Sequence, residues 1–366
     1  MRVATGIAIG AAAKPELAAL AVQNAMRKAG ITAPSSVLLF LSAEFAADPQ
    51  SAIKAAAKAA NCTQIIGCSA TGIFTEEDWV IDSPAAAAMV FSDLNFSAPN
   101  NTPSKQTDDL ILTLTAPHAL NTSWLNTPNL RFGGVSGDAI GHGPFSVWQN
   151  AKGTTQGYCE LVLNNTKGAV AATHGLKLIS TPRKISASNG HDVLSLGNSN
   201  ALNSLTSAWQ KHAKTKDDLA YNIPTHQLMA VHASKPALLE RGDYHITSII
   251  SCNDENASVT IAKTLPAGEF LSWAIRDVDA AQVDIVKTTN ALKRQLANEP
   301  AFALLFSCLG RGPYFYDGID QDLALIKTLL PHLPLIGFYG NGEIAPINGK
   351  NELLQYSAVL ALFTQK

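Results

Sequence analysis

Two distant stretches of the chain follow one pattern: VLLFLS (37–42) with IIGCSATGIF (65–74), and ALLFSC (303–308) with LIGFYGNGEI (335–344). In each pair, an apolar run that predicts a buried strand is followed by a helical segment and then by a second apolar run. The second run contains Ile-Gly, four further residues and another glycine. This order is typical of a strand-helix-strand unit, and its recurrence indicates an internal duplication.

The segments around these two copies also alternate between helix and strand patterns. Helices are predicted at 16–29, 49–60, 280–298 and 322–330. The middle of the chain, 168–251, alternates short strand-like runs with turns, which favours antiparallel hairpins. We therefore predict an α/β protein of two associated domains with mixed β-sheets flanked by helices. The predicted domains are 1–222 and 223–366, and the polar stretch 214–224 is the predicted linker.

Composition excludes several classes of protein. Hydrophobic residues make up 46% of the 366 residues and charged residues 15%, so the chain can bury a large core and is not disordered. The 27 basic residues do not exceed the 29 acidic ones, which argues against nucleic acid or an anionic membrane as partner. The five cysteines are odd in number and unpaired in sequence, as expected of reduced thiols in a cytoplasmic protein.

The segment FSCLGRG (306–312) is the first candidate for a ligand site. Cys308 leaves an apolar strand, and Arg311 follows between two glycines. An arginine fork at the exit of a strand can hold a carboxylate through two N–H donors. In the alternative interpretation, Cys308 is a small core residue and Arg311 caps a carbonyl or pairs with an acid such as Asp317.

The segment GFYGNGEIAPI (337–347) is the second candidate. Tyr339, Asn341 and Glu343 supply a hydroxyl, an amide and a carboxylate within one glycine-rich loop. Together they could hold the polar groups of a small zwitterion, with Glu343 as the partner of its cation. A β-turn in which Asn341 is left-handed and Glu343 faces water remains the alternative.

A third glycine-rich segment, RFGGVSGDAIGHG (131–143), adds Asp138 and His142. The chain contains no Walker sequence, dinucleotide fingerprint, GxSxG elbow or HExxH motif. We therefore predict no cofactor and no metal.

The ordered set IIGCSATGIF, FGGVSGDA, FSCLGRGPYF and PLIGFYGNGEIAPI resembles the FIST sensory domain in its N- and C-terminal parts, from about Val37 to Phe363. The resemblance implies a module of signal transduction that binds a small ligand, an amino acid or a related metabolite. No output segment is recognisable, so a separate signalling protein is the expected partner. The residues predicted to bind the ligand are Cys308, Arg311, Tyr339, Asn341, Glu343, Cys68, Ser69, Gly133, Gly134 and Asp138.

In the predicted complex, Arg311 holds the carboxylate of the ligand while Glu343 and Tyr339 hold its opposite end. Both Arg311 and Glu343 would then face one water-accessible hollow. Two alternatives remain open: an enzyme with Cys308 as nucleophile and His142 as base, and an interaction scaffold whose glycine loops are only turns.

Overall fold

The computed structural model describes residues 1–99, 110–120, 123, 127–138, 141–213 and 223–366. They form two compact units: Met1–His174 together with Asp284–Lys366, and the inserted segment Gly175–Val283. The predicted loop at 100–106 and most of the predicted linker at 214–224 lie outside the described residues. The domain boundary predicted at 222/223 adjoins them and stays a prediction.

Helices and strands lie close to the predicted ranges. In the described part of the chain the helices are α1 (Pro15–Ala29), α2 (Gln50–Ala60), α3 (Ala201–His212), α4 (Pro236–Arg241), α5 (Val278–Gln295) and α6 (Gln321–Leu329). The strands are β1 (Val3–Ile9), β2 (Ser36–Ser42), β3 (Ile65–Ala70), β4 (Gly72–Thr75), β5 (Trp79–Ile81), β6 (Ala85–Phe91), β7 (Phe96–Ser97), β8 (Ile111–Thr115), β9 (Arg131–Val135), β10 (Val147–Gln149), β11 (Lys152–Gly153), β12 (Tyr158–Leu163), β13 (Thr166–Thr173), β14 (Leu176–Leu178), β15 (Arg183–Asn189), β16 (Asp192–Leu196), β17 (Ser199–Asn200), β18 (Leu228–Ala233), β19 (His245–Asn253), β20 (Ser258–Ile261), β21 (Phe270–Arg276), β22 (Phe302–Cys308), β23 (Leu335–Gly340), β24 (Glu343–Ile347), β25 (Lys350–Leu354) and β26 (Ala358–Gln365).

The first unit is built from sheets that share one strand order. They run β1-β6-β2-β3-β10-β11, β7-β12-β8-β9-β24-β25 and β13-β26-β22-β23-β4-β5. In each sheet the third and fourth strands are parallel, and the other neighbours are antiparallel. The predicted fold class, with mixed sheets flanked by helices, is confirmed.

Each sheet also contains a hairpin that belongs to another repeat of the chain. The hairpin β4-β5 follows β3 but pairs with β23, β10-β11 follows β9 but pairs with β3, and β24-β25 follows β23 but pairs with β9. This exchange is cyclic and relates three copies of one unit: repeat 1 (β1–β6), repeat 2 (β7–β12) and repeat 3 (β13 with β22–β26). The predicted duplication is confirmed for repeats 1 and 3, and repeat 2 is an additional copy that the sequence pattern did not reveal.

One glycine in each repeat fixes the correspondence between the copies. Gly67, Gly133 and Gly337 are each the third residue of their strand, and a Cβ there would lie 1.6, 1.9 and 1.8 Å from a carbonyl oxygen of the parallel neighbour. Only glycine permits such a close approach of two backbones. Counting from these glycines gives the equivalent positions of the three repeats.

Apolar side chains from all three sheets meet in a single core of the first unit. Phe40, Phe132, Phe306 and Phe338 lie there with ring centroids between 5.1 and 6.4 Å apart, in tilted or edge-to-face arrangements. Separate apolar clusters join α1 and α2 to the first sheet and α5 and α6 to the third. The helices therefore cover the outer faces of two sheets, and the strand ends are left to carry the loops.

The second unit is a closed antiparallel ring. Its strands are ordered β21-β15-β16-β20-β19-β18, and β18 pairs again with β21. Trp273 is fully buried in the core of this unit, to which α3 contributes Leu202, Leu205 and Ala208. The antiparallel hairpins predicted for the middle of the chain are present.

Candidate functional site

The loops that leave β3, β9 and β23 converge in the first unit. The fourth residue after the repeat glycine is Thr71, Gly137 or Asn341, and a Cβ on Gly137 would lie 2.9 Å from Asn341 Oδ1 and 3.0 Å from Thr71 Oγ1. Thr71 is buried, and its hydroxyl has no hydrogen-bond partner among the described residues. We call Thr71, Gly137 and Asn341 the loop junction. Strand ends of this kind are the usual place for a ligand in α/β proteins.

Ser69 and Asp138 lie beside the loop junction and hold its loops in place. The hydroxyl of Ser69 lies 3.1 Å from that of Ser136 and accepts the N–H of Ser146 at 3.0 Å. The Asp138 carboxylate accepts the N–H groups of Gly141 and Gly143 at 2.5 and 2.9 Å. Both Asp138 oxygens are therefore engaged by the residues that follow it in its own loop.

Arg311 is 1% exposed, and its fork is occupied. Its Nε and Nη2 donate to the two carboxylate oxygens of Asp322 at 2.8 and 3.1 Å, and its Nη1 donates to the carbonyl of Thr173. The Tyr316 hydroxyl donates to the same Asp322 carboxylate at 2.8 Å. The acid that pairs with Arg311 is thus Asp322 and not Asp317, and direct contact of Arg311 with a ligand stays a prediction.

Glu343 is a buried acid with an incomplete set of partners. Its side chain has no exposed surface, and the N–H of Ser357 donates to Oε2 at 3.3 Å. Within the described ranges Oε1 has no hydrogen-bond partner. Burial raises the pKa of Glu343 well above its usual range, although the Ser357 N–H, the Arg311 charge and the Cys308 thiol oppose the shift. The structure therefore favours the neutral acid at this position.

The other two repeats carry apolar residues where repeat 3 carries Glu343. Ile73 pairs with the residue after the repeat glycine in β23, Val147 does the same in β3, and Glu343 does the same in β9. Ile73 and Val147 are buried in the core of the unit. An aliphatic side chain at this position is thus compatible with the fold, and the fold does not require an acid there.

Arg311 shows the same asymmetry between repeats. It ends a single 3₁₀ turn after β22, and the matching turns after β2 and β8 end at Phe45 and Ala119. Repeat 3 therefore carries a buried cation and a buried acid at positions that are apolar in the other two. Polar groups that the fold does not require are candidates for function.

Tyr339 lies on the helix-covered side of the third sheet. Its hydroxyl donates to Asp320 Oδ2 at 2.5 Å, and Asp320 Oδ1 accepts the N–H of Leu323 as the N-cap of α6. Burial, together with the charge of Asp322, raises the pKa of Asp320 to about 6. The first turn of α6 thus holds both Tyr339, through Asp320, and Arg311, through Asp322.

Cys68, Gly133 and Gly134 lie in or against the packed interior. Cys68 belongs to the apolar core, and burial raises the pKa of its thiol well above the usual range. A Cβ on Gly134 would lie 2.7 Å from the ring of Phe338. These positions serve close packing in the structure as it stands, and their contact with a ligand stays a prediction.

Several polar residues near these groups were not predicted from the sequence. They are Thr71, His174, Tyr316, Asp322 and Ser357. His174 is buried, and its Nδ1 lies 3.0 Å from the Ser357 hydroxyl. Ser357 in turn contacts Glu343 through its N–H, and its carbonyl accepts the N–H of Cys308. Of these residues, only Thr71 could have been found from the sequence, because it occupies the same place in IIGCSATGIF as Asn341 does in LIGFYGNGEI.

Comparison with known proteins gives two family matches. A model of the FIST N domain matches residues 35–199, and a model of the FIST C domain matches residues 208–346. Each match includes residues of both compact units. The family domains therefore do not coincide with the compact units.

Curated relatives come from mycobacteria. An uncharacterized protein of Mycobacterium bovis is 26% identical over 232 residues, which are 63% of this chain and 59% of that protein. An uncharacterized protein of Mycobacterium tuberculosis is 24% identical over 389 residues, covering 99% of this chain and 100% of that protein. The chain thus covers less than two thirds of the first relative and the whole length of the second.

No helix in the described ranges is both long enough and apolar enough to cross a membrane.

Proposed function

Because the chain belongs to the FIST family of sensory domains in signal transduction, we propose that its first unit binds a small polar metabolite at the ends of β3, β9 and β23. The ligand class we propose is an amino acid or a related small carboxylate. A free α-amino acid offers an ammonium group and a carboxylate a few ångströms apart. The candidate residues of repeat 3 include a partner for each of these groups.

Glu343 is the observation that carries this proposal. An unpaired buried polar group costs about 1–3 kcal/mol, and the two equivalent positions avoid this cost with Ile73 and Val147. An ammonium group placed against Oε1 would supply the missing partner. The positive charge would also favour the carboxylate over the neutral acid, so binding would release the proton of Glu343.

Arg311 is the proposed partner of the ligand's carboxylate. Its fork holds Asp322, so a ligand carboxylate would reach it by replacing Asp322. Asp322 lies in the first turn of α6, where Asp320 also holds Tyr339. We propose that this exchange loosens the start of α6, which converts occupancy into a change that a partner protein can recognise. A ligand shifts such an equilibrium only as far as it favours one state over the other.

The loop junction supplies neutral polar contacts. Thr71 Oγ1 has no hydrogen-bond partner in the described part of the chain, and the Asn341 amide lies beside it. A hydroxyl and an amide can each donate to one carboxylate oxygen and accept from an ammonium group. They suit a compact zwitterion better than an apolar ligand.

Isothermal titration against a panel of α-amino acids, which carry both the ammonium group and the carboxylate, tests the proposal. We expect at least one member to bind the wild-type protein and to bind Glu343→Gln at least tenfold more weakly. The matched control is Val147→Ile. Val147 is the residue of repeat 2 that is equivalent to Glu343, and this substitution keeps the position aliphatic. Binding of the same compound to Glu343→Gln with unchanged affinity would refute the role of Glu343.

A further inference from the structure

A cavity lies beside α3 in the second unit, apart from the residues of the proposed amino-acid site. Its volume is about 560 Å³, within the range of pockets that hold small molecules. The polar residues that line it include Arg183, Ser199, Asn203, Ser204, Ser207 and Lys211. Among the described residues, the lining thus contains two cationic side chains and no acidic one.

The two cations are not neutralised within the described part of the chain. Arg183 donates from Nη1 to the Ser199 hydroxyl at 3.3 Å, and its guanidinium forms no ion pair with a described carboxylate. Lys211 likewise forms no ion pair with a described residue. Two positive charges without an ion-pair partner among the described residues create a potential on this cavity that attracts anions.

Two hydroxyls that line the cavity, those of Ser180 and Ser204, are held by a buried tryptophan. The indole Nε1 of Trp273 donates to the Ser204 hydroxyl at 3.2 Å, and its backbone N–H donates to the Ser180 hydroxyl at 2.8 Å. Ser204 is only 9% exposed, and its oxygen accepts the indole N–H, which leaves its hydroxyl proton as a donor. This hydroxyl can therefore donate to a group in the cavity from a fixed position.

Helix α3 presents a regular row of donors to the same cavity. Asn203, Ser207 and Lys211 are spaced by four residues, so they lie along one face of the helix. Asn203 is in the first turn, where the helix dipole adds partial positive charge. Charge, donors and dipole all favour the same kind of ligand.

We propose that this cavity binds a small metabolite that carries a compact, doubly charged oxyanion. Two cations match two negative charges, and the arginine fork and the hydroxyls can each donate to a different oxygen. A phosphate monoester and a small dicarboxylate share this chemistry. This site would be a second input to the protein, independent of the amino-acid site proposed in the first unit.

Calorimetric titration at low ionic strength tests this site with three probes: inorganic phosphate, glycerol 3-phosphate and succinate. We expect at least one to bind, and we expect Arg183→Gln and Lys211→Gln each to weaken it about tenfold, the loss of one charge-assisted contact. Lys184→Gln is the matched control, because Lys184 is the exposed neighbour of Arg183 and does not line the cavity. It should change the affinity by less than about twofold.

The probes separate the two sources of the anion. Preference for glycerol 3-phosphate supports a phosphate ester, and preference for succinate supports a dicarboxylate. Absence of binding by all three probes would overturn the inference, as would an equal loss of affinity in Lys184→Gln, which would show unspecific attraction. Glu343→Gln should leave this binding unchanged, so failure here is distinguishable from failure of the proposed amino-acid site.

Discussion

Replacement of Glu343 by glutamine should change how the stability of the protein depends on pH. In the folded wild-type protein burial raises the pKa of Glu343, whereas in the unfolded chain it returns to about 4.5. Above that pH the unfolded chain gives up this proton and the folded protein keeps it. The folded state therefore binds more protons than the unfolded state, and the wild type loses stability as the pH rises.

The size of the effect follows from the linkage relation. One proton of difference between the two states is worth about 1.4 kcal/mol per pH unit. Glutamine does not titrate, so the free energy of unfolding of Glu343→Gln minus that of the wild type should rise by about 1.2 kcal/mol between pH 5 and 6, since the unfolded carboxyl is still partly protonated at pH 5. Asp320, whose pKa is about 6, titrates in both proteins and cancels from this difference.

Urea denaturation at pH 5, 6 and 7, followed by tryptophan fluorescence, gives the two free energies of unfolding. The m-values should agree between the proteins, so that the midpoints report stability alone. A difference in free energy that stays constant from pH 5 to 7 would refute the reasoning, because Glu343 would then ionise alike in the folded and unfolded states.

Three further outcomes follow from contacts and burial within the two units. Asp322→Asn should destabilise the protein by about 3–5 kcal/mol in the same urea assay, because it leaves Arg311 buried without its counter-charge, whereas Asn at the exposed Asp317 should cost little. Gly337→Ala should prevent folding as judged by circular dichroism, because its Cβ would lie 1.8 Å from a carbonyl oxygen; Gly153→Ala, with open space around the Cβ, should fold normally. Iodoacetamide at pH 8 should label the half-buried Cys62 and Cys252 before the fully buried Cys68 and Cys159, as followed by mass spectrometry. Burial raises the pKa of the Cys68 thiol well above its usual range and that of Cys159 to about 12. Early labelling of Cys68 would contradict its place in the core.

Strand and helix positions in the first unit could be predicted because they depend on local patterns. The helix predicted at 16–29 is found at Pro15–Ala29, and the helix predicted at 280–298 is found at Val278–Gln295. The copies that contain Ile65–Ala70 and Leu335–Gly340 were recognisable from their shared Ile-Gly and second glycine. Repeat 2 was not, because RFGGVSG lacks the isoleucine, and a longer loop separates β9 from β10.

The exchange of hairpins between repeats could not be predicted from the sequence. Pairing of β4 with β23 rather than with its own repeat depends on a contact between residues about 260 positions apart, and no local pattern encodes it. The same limit applies to the partners of the candidate residues. Asp322 is 11 residues from Arg311 and on another element, so the spacing did not identify it as the counter-charge.

The loop junction was predicted only in part from the sequence. Asn341 was a candidate from its glycine-rich loop, whereas Thr71 required the equivalence of the repeats to be recognised. The burial of Glu343 was not predicted, since a charged residue between Gly342 and Ile344 equally suits an exposed turn. Tertiary packing, not local preference, decides the environment of such a residue.

The exchange of protons on ligand binding tests the central claim most directly. The amino acid that binds best in the panel is titrated into the protein at one pH in buffers of different ionisation enthalpy. We predict that the wild type releases about one proton as Glu343 becomes a carboxylate, and that any residual binding to Glu343→Gln releases none. Binding to the wild type without release of a proton would contradict an ammonium contact at Glu343.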